Sequence, residues 1–319
     1  MILNHLGYVG EMLKDIVNGV LITGLIFAAS ILIPVFGFFC SLFIPLPTLY
    51  YRIKLGRTTS AIIPVLGFII MVVVLNSFTI DAMFFAGLLL VGFILGELLE
   101  FRFPIDKTVL YTCGVVLIGT IISLFIFSSV SGKNLFTILS QYVARNIELS
   151  LALYQSLGMS DENLRLIQGS LSKIQYVLVR IIPALTIAST LLVIWINILV
   201  SKALLKGRFR LHPDYEKLNQ WQAPDFLVWT VIGCGLLMLF PAGAAKLFGL
   251  NILLIAMTIY FFQGMGIVSF FFERWKVPRF LKIPVYSLIA LQQLVLIAVI
   301  GIGLFDTWFN FRKLKKIKA

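Results

Sequence analysis

Long apolar runs separated by short polar segments recur along the whole of this chain. An α-helix of roughly 20 apolar residues crosses a hydrocarbon core of about 30 Å. The pattern therefore predicts an all-α fold, a polytopic transmembrane helical bundle of about nine spans. The predicted spans are 16–33, 35–51, 60–77, 82–100, 108–128, 175–203, 225–242, 248–272 and 283–308.

The first two runs form one apolar stretch, residues 16–51, which is too long for a single crossing. As one helix it would measure about 54 Å at 1.5 Å per residue. Pro34 lacks a backbone N–H and so interrupts helical hydrogen bonding. A tight hairpin at Pro34 is therefore predicted, with Pro45 and Pro47 kinking the end of the second span.

One long polar segment, residues 129–174, has the periodicity of amphipathic helices. Its first half has apolar residues at spacings of three and four, and Ser160 is a candidate N-cap for its second half. The pattern predicts two helices on the outer surface of the membrane. A lid over a cavity and an interfacial packing element are both consistent with this pattern.

Composition supports a membrane protein and argues against other classes. The chain is 60% hydrophobic and only 13% charged, whereas soluble domains average about 25% charged residues. The net charge of +12 comes from short loops, where basic residues set membrane orientation, so we do not expect a nucleic-acid partner. The cysteines and histidines are isolated in sequence, so no metal or cofactor site is expected.

Basic residues orient the predicted spans. With the N-terminus inside, the inner loops hold more than twice as many Lys and Arg residues as the outer loops. Nine crossings then put the C-terminal tail outside, although its five basic residues resist translocation. If one of the last three predicted spans does not cross, the run 248–272 is the first candidate for a re-entrant or interfacial segment, because Gly264 and Gly266 are expected to interrupt it.

Two acidic residues at the end of the fourth span are candidates for coupling to ion movement. Glu97 and Glu100 are three residues apart and therefore share a helix face. They either reach interfacial water and pair with Arg102 or Lys107, or carry a proton or cation. Both interpretations remain open from the sequence.

A few polar residues within spans are candidates for ligand contact. Gln263 beside Gly264 is the best of them, because glycine permits close approach of another backbone. Arg180 and Asn197 are further candidates. The competing interpretation is interhelical hydrogen bonding, or in the case of Arg180 a side chain that reaches out to water.

Three residues are candidates for helix docking. Gly24 and Ala28 form a small-xxx-small pair on the first span. Asp306 is predicted to lock the last helix to the bundle, through Asn310 or a basic group on a neighbouring element. Arg312 is predicted to lie too far along a helix to pair with it.

The chain contains no Walker A loop, no HExxH motif and no GxSxG motif. We therefore expect a protein that is not an enzyme.

Five stretches resemble the YybS-like family of bacterial integral membrane proteins, a family without an assigned function. They occur in order along most of the chain. The stretches are "PLPTLYYRIKLG" at 45–56, "RIIPALTIAST…WINILVSKALLKGR" at 180–208, "WQAPDFLVW" at 221–229, "FFQGMGIV" at 261–268 and "FDTWFNFR" at 305–312.

This resemblance implies distant similarity to the S components of energy-coupling-factor transporters and to MreD. It suggests a six-span S-component-like body at 1–205, including segment 129–174, followed by three further spans and a basic tail at 206–319. The expected function is binding and uptake of a small solute in the bacterial cytoplasmic membrane, energised by partner membrane proteins. The alternative is a non-enzymatic MreD-like scaffold in cell-envelope assembly.

Overall fold

The computed structural model describes residues 2–33, 37–75, 79–158, 167, 169–205, 213–241 and 243–313. Every regular element in these residues is helical, which confirms the all-α prediction. The predicted break at Pro34 and the predicted cap Ser160 lie outside the described residues. The α-helices are α1 (Ile2–Leu32), α2 (Gly37–Ser41), α3 (Pro45–Leu55), α4 (Arg57–Ser60), α5 (Ile62–Leu75), α6 (Ile80–Glu100), α7 (Ile105–Ser131), α8 (Leu135–Ser156), α9 (Leu171–Leu205), α10 (Phe226–Met238), α11 (Ala244–Arg274), α12 (Arg279–Leu291) and α13 (Gln293–Phe309).

A short 3₁₀ segment, Pro213–Gln220, precedes α10. Six helical stretches in the described residues are long and apolar enough to cross a membrane. The pair α12 and α13 would make a seventh span only if it crosses as one broken helix. The protein is therefore a multi-pass membrane protein, and the prediction of about nine spans is not confirmed. The six stretches are Val9–Leu32, Arg57–Leu75, Ile80–Glu100, Ile105–Ser131, Leu171–Leu205 and Ala244–Arg274.

The predicted span 35–51 is replaced by two short helices, α2 and α3, neither of which is long enough to cross. Pro45 and Pro47 lie in the first turn of α3, where proline is tolerated because the missing N–H has no helical partner. A Cβ atom on Gly92 of α6 would collide with the carbonyl oxygen of Pro45. Glycine at this position therefore lets α3 pack directly on the backbone of α6.

The last predicted span, 283–308, is also divided. Gln292 has extended backbone angles and separates α12 from α13, which are bent by 99°. The run 248–272, by contrast, lies within one continuous helix, α11. The expectation that Gly264 and Gly266 would interrupt this run was wrong, because both residues are used for packing within a regular helix.

The chain forms two compact units that are interleaved in sequence. The first unit contains Met1–Gly132 and Ser189–Glu216, and the second contains Lys133–Ala188 and Lys217–Ala319. Helix α9 contributes to both. This division differs from the sequential one at residue 205 that the family resemblance suggests.

Candidate functional site

The second unit contains an apolar groove between α8 and the first half of α9. Its volume is about 310 Å³. Side chains from both helices line it, and their exposed surface in the groove is almost entirely apolar. The lining residues are Tyr142, Val143, Asn146, Ile147, Ser150, Leu151, Tyr154, Ile167, Leu171, Ile174, Leu178, Ile182 and Leu185.

Two polar residues on the α8 wall, Asn146 and Ser150, are bonded along their own helix. Asn146 Nδ2 donates to the carbonyl oxygen of Tyr142 at 2.9 Å. Ser150 Oγ donates to the carbonyl oxygen of Asn146 at 2.8 Å. Because the exposed surface that lines the groove is almost entirely apolar, the groove suits an apolar chain or ring.

Helix α8 is attached to α9 mainly near its N-terminus. Asn134 caps α8 by accepting the backbone N–H of Phe136 at 3.0 Å. Gln175 Nε2 donates to both the carbonyl and the hydroxyl oxygen of Ser140, at 3.1 and 3.0 Å. Ile138 and Val143 are the buried residues of α8, so most of its length beyond this attachment is exposed.

Arg180 reinforces the same attachment and does not line the groove. Its guanidinium lies 3.5 Å from the ring centroid of Tyr176 and 5.6 Å from that of Phe136 on α8. Its Nη1 donates to the carbonyl oxygen of Tyr176 at 3.1 Å. The two contacts with the aromatic rings are cation–π interactions, in which the positive guanidinium is attracted to the negative face of the ring. The predicted contact of Arg180 with a ligand stays a prediction.

Asn251 of α11 replaces a backbone hydrogen bond of α9 beside Pro183. Asn251 of α11 donates to the carbonyl oxygen of Arg180 at 3.1 Å and accepts the N–H of Ala184 at 3.3 Å. These two backbone groups would bond each other in a regular helix. Pro183 lies between them, and neighbouring side chains commonly satisfy backbone groups beside a proline in membrane helices. The sequence analysis missed this role of Asn251.

Gln263 belongs to a buried polar network elsewhere in the second unit. Its Oε1 accepts the backbone N–H of Ala223 at 3.0 Å. Its Nε2 donates to Asp306 Oδ2 at 3.2 Å. Both ends of the amide are therefore occupied by protein. Contact between Gln263 and a ligand stays a prediction, whereas interhelical bonding of this residue is observed.

Asp306 and Arg312 form a fully buried ion pair in this network. Arg312 Nη2 lies 2.8 Å from Asp306 Oδ2, and neither side chain is exposed to solvent. The prediction that Arg312 is too far along the helix was wrong. Helix α13 ends at Phe309, and Asn310 takes a left-handed conformation with φ of 41°. This turn brings Arg312 back over the last helical residues.

The network also holds the segment before α10. Arg312 Nη1 donates to the carbonyl oxygens of Asn219 and Trp221, at 2.7 and 2.9 Å. Asp306 Oδ1 accepts the backbone N–H of Phe311 at 2.8 Å. The predicted role of Asp306 as a lock is thus consistent with its contacts, which join α13 to α11 and to the chain around residue 221.

Gly264 lies at a close crossing of α11 and α13. A Cβ atom on Gly264 would collide with the carbonyl oxygen of Val299. A Cβ atom on Gly303 would in the same way collide with the carbonyl oxygen of Tyr260. Glycines at both positions allow the two backbones to touch, so Gly264 serves helix packing here.

The carboxylates predicted for coupling meet a buried arginine in the first unit. Arg52 Nε donates to Glu97 Oε2 at 2.9 Å, and Arg52 Nη1 lies 2.7 Å from Glu100 Oε2. Arg57 adds a longer contact of 3.6 Å to Glu97. The predicted partners were Arg102 and Lys107. The sequence analysis missed Arg52 because it comes from α3, distant in sequence.

Asn197 and Gly24 also lie in the first unit. Asn197 Nδ2 donates to the carbonyl oxygens of Leu42 and Val193, at 2.9 and 2.8 Å. This side chain is buried and ties α9 to the segment after α2. Within the described residues, no atom lies within 4 Å of a Cβ built on Gly24. Docking at Gly24 and Ala28 stays a prediction.

Comparison with known families gives one match. A family model described as "Predicted membrane protein (DUF2232)" matches residues 21–307. The chain belongs to the DUF2232 family. This result confirms the YybS-like membrane protein that the short motifs predict. No curated protein and no solved structure matches the chain.

The DUF2232 match covers the residues that build the groove and most of the buried network. Gln263 and Asp306 lie inside the matched range, whereas Arg312 follows it. The turn at Asn310 is therefore contributed by the chain just beyond the family model. The match describes a membrane protein and leaves the choice of function to the chemistry of the sites.

Proposed function

We propose that this DUF2232 protein is a non-enzymatic membrane subunit that binds a small apolar or amphipathic solute in the groove between α8 and α9. The observation that carries the proposal is the apolar lining of that groove. Its volume of about 310 Å³ falls at the lower end of the range for small-molecule sites, roughly 300–1,000 Å³.

The chemistry of the groove restricts the class of solute. Burying an unpaired polar group costs free energy, and Asn146 and Ser150 on the α8 wall already donate to backbone carbonyl oxygens. A highly polar solute would lose its water contacts in the groove without gaining new ones. An acyl chain or an apolar ring has few hydrogen bonds with water to lose and would gain hydrophobic contact in the groove.

The attachment of α8 supports a gated site. Gln175 and Arg180 hold the start of α8, while its remaining length buries few side chains. Such a helix is able to swing about its attached end. This arrangement favours the lid over the packing element, and the resemblance to S components suggests uptake energised by partner proteins in the bacterial cytoplasmic membrane.

A non-enzymatic scaffold in the cell envelope is the second candidate. The observation that favours it is the internal bonding of Gln263 and Asn197, two residues that the sequence offered for ligand contact. A scaffold requires only a packed bundle with partner surfaces. It predicts that filling the groove leaves activity in cells unchanged.

Photolabelling of the full-length protein tests the proposal. The probe is a twelve-carbon fatty acid with a diazirine at its tail, and the readout is mass spectrometry of labelled peptides. We expect labels on peptides containing Ile147 or Leu178, and we expect Leu178→Trp to reduce them because the indole fills the groove. Leu199→Trp is the matched control, since Leu199 is an exposed residue of the same helix and does not line the groove. Equal labelling in the wild type and both variants would contradict the proposal.

A further inference from the structure

Helix α12 is too short to cross a membrane and is not aligned with the helix that follows it. It contains 13 residues, about 20 Å of helix. It meets α13 at 99°. A hydrocarbon core of about 30 Å is not crossed by a helix of this length. The geometry instead suits a helix that lies along the membrane surface.

The apolar side chains of α12 are largely free of protein contact. Ile289 is its buried residue, and Tyr286 packs against Phe272 of α11 at 5.4 Å between ring centroids. Phe280 is 70% exposed and Ile283 is 67% exposed. One narrow face of α12 is thus held by protein, while a wide apolar face is left uncovered.

Basic residues flank this apolar face. Arg274 is the last residue of α11, Lys276 lies in the turn before α12, and Arg279 and Lys282 lie in the first turn of α12. The sequence contains no acidic residue from 274 to 305. Trp275, which is 68% exposed, adds the side chain that most favours a membrane–water interface. Four cations beside an apolar surface match an anionic lipid bilayer in both charge and hydrophobicity.

We propose that α12 lies in the headgroup region of the membrane and that its basic flank binds anionic phospholipids. Its apolar face enters the upper acyl region, as amphipathic interfacial helices do. Arg279 and Lys282 then face the phosphates, where each basic residue near an anionic surface strengthens binding about fivefold. An acidic protein would satisfy the charges but would leave Phe280 and Ile283 uncovered.

Lipid binding by the purified full-length protein tests the assignment. The probes are fluorescent phosphatidylglycerol and fluorescent phosphatidylcholine with the same acyl chains, titrated in detergent micelles and followed by anisotropy. We expect tighter binding of phosphatidylglycerol. Arg279→Gln with Lys282→Gln should weaken it roughly 30-fold while leaving phosphatidylcholine binding unchanged.

A charge-matched pair elsewhere in the same unit is the control. Lys133→Gln with Lys173→Gln removes two exposed cations and should not change the preference for phosphatidylglycerol. Arg279→Lys with Lys282→Arg keeps both charges and should retain binding, which separates loss of charge from loss of folding. Equal binding of the two lipids, or equal losses in the two glutamine pairs, would overturn the proposal.

Discussion

Each compact unit contains a buried arginine, and the two differ in how their carboxylate partners meet solvent. The side chain of Arg52 in the first unit is 3% exposed, but its partner Glu100 is 44% exposed. In the second unit, Arg312 and Asp306 are both fully buried. The first cluster therefore retains access to water through one carboxylate, whereas the second is a dry ion pair.

This difference decides how much each ion pair contributes to the stability of the fold. Breaking a dry ion pair leaves an unpaired charge in a low-dielectric interior, at a cost of about 3–5 kcal/mol. A carboxylate near water is instead solvated when its partner is removed, so breaking that ion pair lowers the free energy of unfolding only slightly. The second cluster is therefore suited to locking helices together, while coupling through Glu97 and Glu100 stays a prediction.

The largest expected effect comes from removing the carboxylate of the dry pair. Asp306→Ala should lower the free energy of unfolding by about 3–5 kcal/mol, because Arg312 stays buried without its partner. Asp306→Leu combined with Arg312→Met should cost less than the single change, since no charge is left behind. Thermal unfolding in detergent measures the stability of both variants. A single variant as stable as the wild type would mean that the pair is not buried.

The next effect tests the close crossing that positions Asp306. Gly264→Ala should cost roughly 1–3 kcal/mol, because its Cβ would collide with the carbonyl oxygen of Val299. Gly301→Ala is the matched control on α13, where nothing lies within 4 Å of the added atom. The control should be neutral or slightly stabilising, since alanine favours helix more than glycine does. Equal losses would argue against the crossing.

Sequence patterns predicted the helical class and most long spans because apolar runs of this length have few alternatives in a membrane. They also singled out Gln263 and Asp306, because polar groups are costly in lipid and therefore stand out. The contacts of these residues were not predictable. They depend on the left-handed turn at Asn310 and on the bend at Gln292, and no local sequence pattern predicts either feature.

The predicted span at 35–51 failed for a related reason. Hydropathy does not distinguish a segment covered by lipid from one covered by protein. Pro45 and Leu49 are buried against α6 through the glycines Gly92 and Gly96. Arg52 is carried into the interior by the same packing, so its pairing with Glu97 is a consequence of tertiary structure.

A smaller effect distinguishes Glu97 from Glu100, the two carboxylates that contact Arg52 in the first unit. Glu97 has more contacts with Arg52 and is 12% exposed, compared with 44% for Glu100. We expect Glu97→Gln to destabilise more than Glu100→Gln, with the latter below about 1 kcal/mol. Thermal unfolding measures the stability of each variant, and complementation of a deletion strain measures its function. Full complementation by both would leave the cluster with a structural role only.

The mildest intervention adds a reporter to the C-terminus and tests which side of the membrane the dry cluster faces. Arg312 bonds the carbonyl oxygens of Asn219 and Trp221, and Asn219 donates to Glu273 near the end of α11 at 2.6 Å. The start of the tail thus lies beside two segments that the basic residues assign to the inside.

A tail on that side requires that α12 and α13 together make no complete crossing, which a re-entrant pair bent by 99° allows. The nine-span count puts the tail outside, so the two arrangements differ in the side of the membrane on which the C-terminal tail lies. We expect a C-terminal reporter that fluoresces only in the cytoplasm to be bright, and the same fusion to a periplasmic-type phosphatase to be inactive. The fused reporter follows residue 319 and leaves the Asp306–Arg312 pair intact, so the melting temperature should not change. Dark fusions with active phosphatase would show that the tail crosses. The contacts of Arg312 would then be incompatible with the assignment of residues 219–221 to the inside.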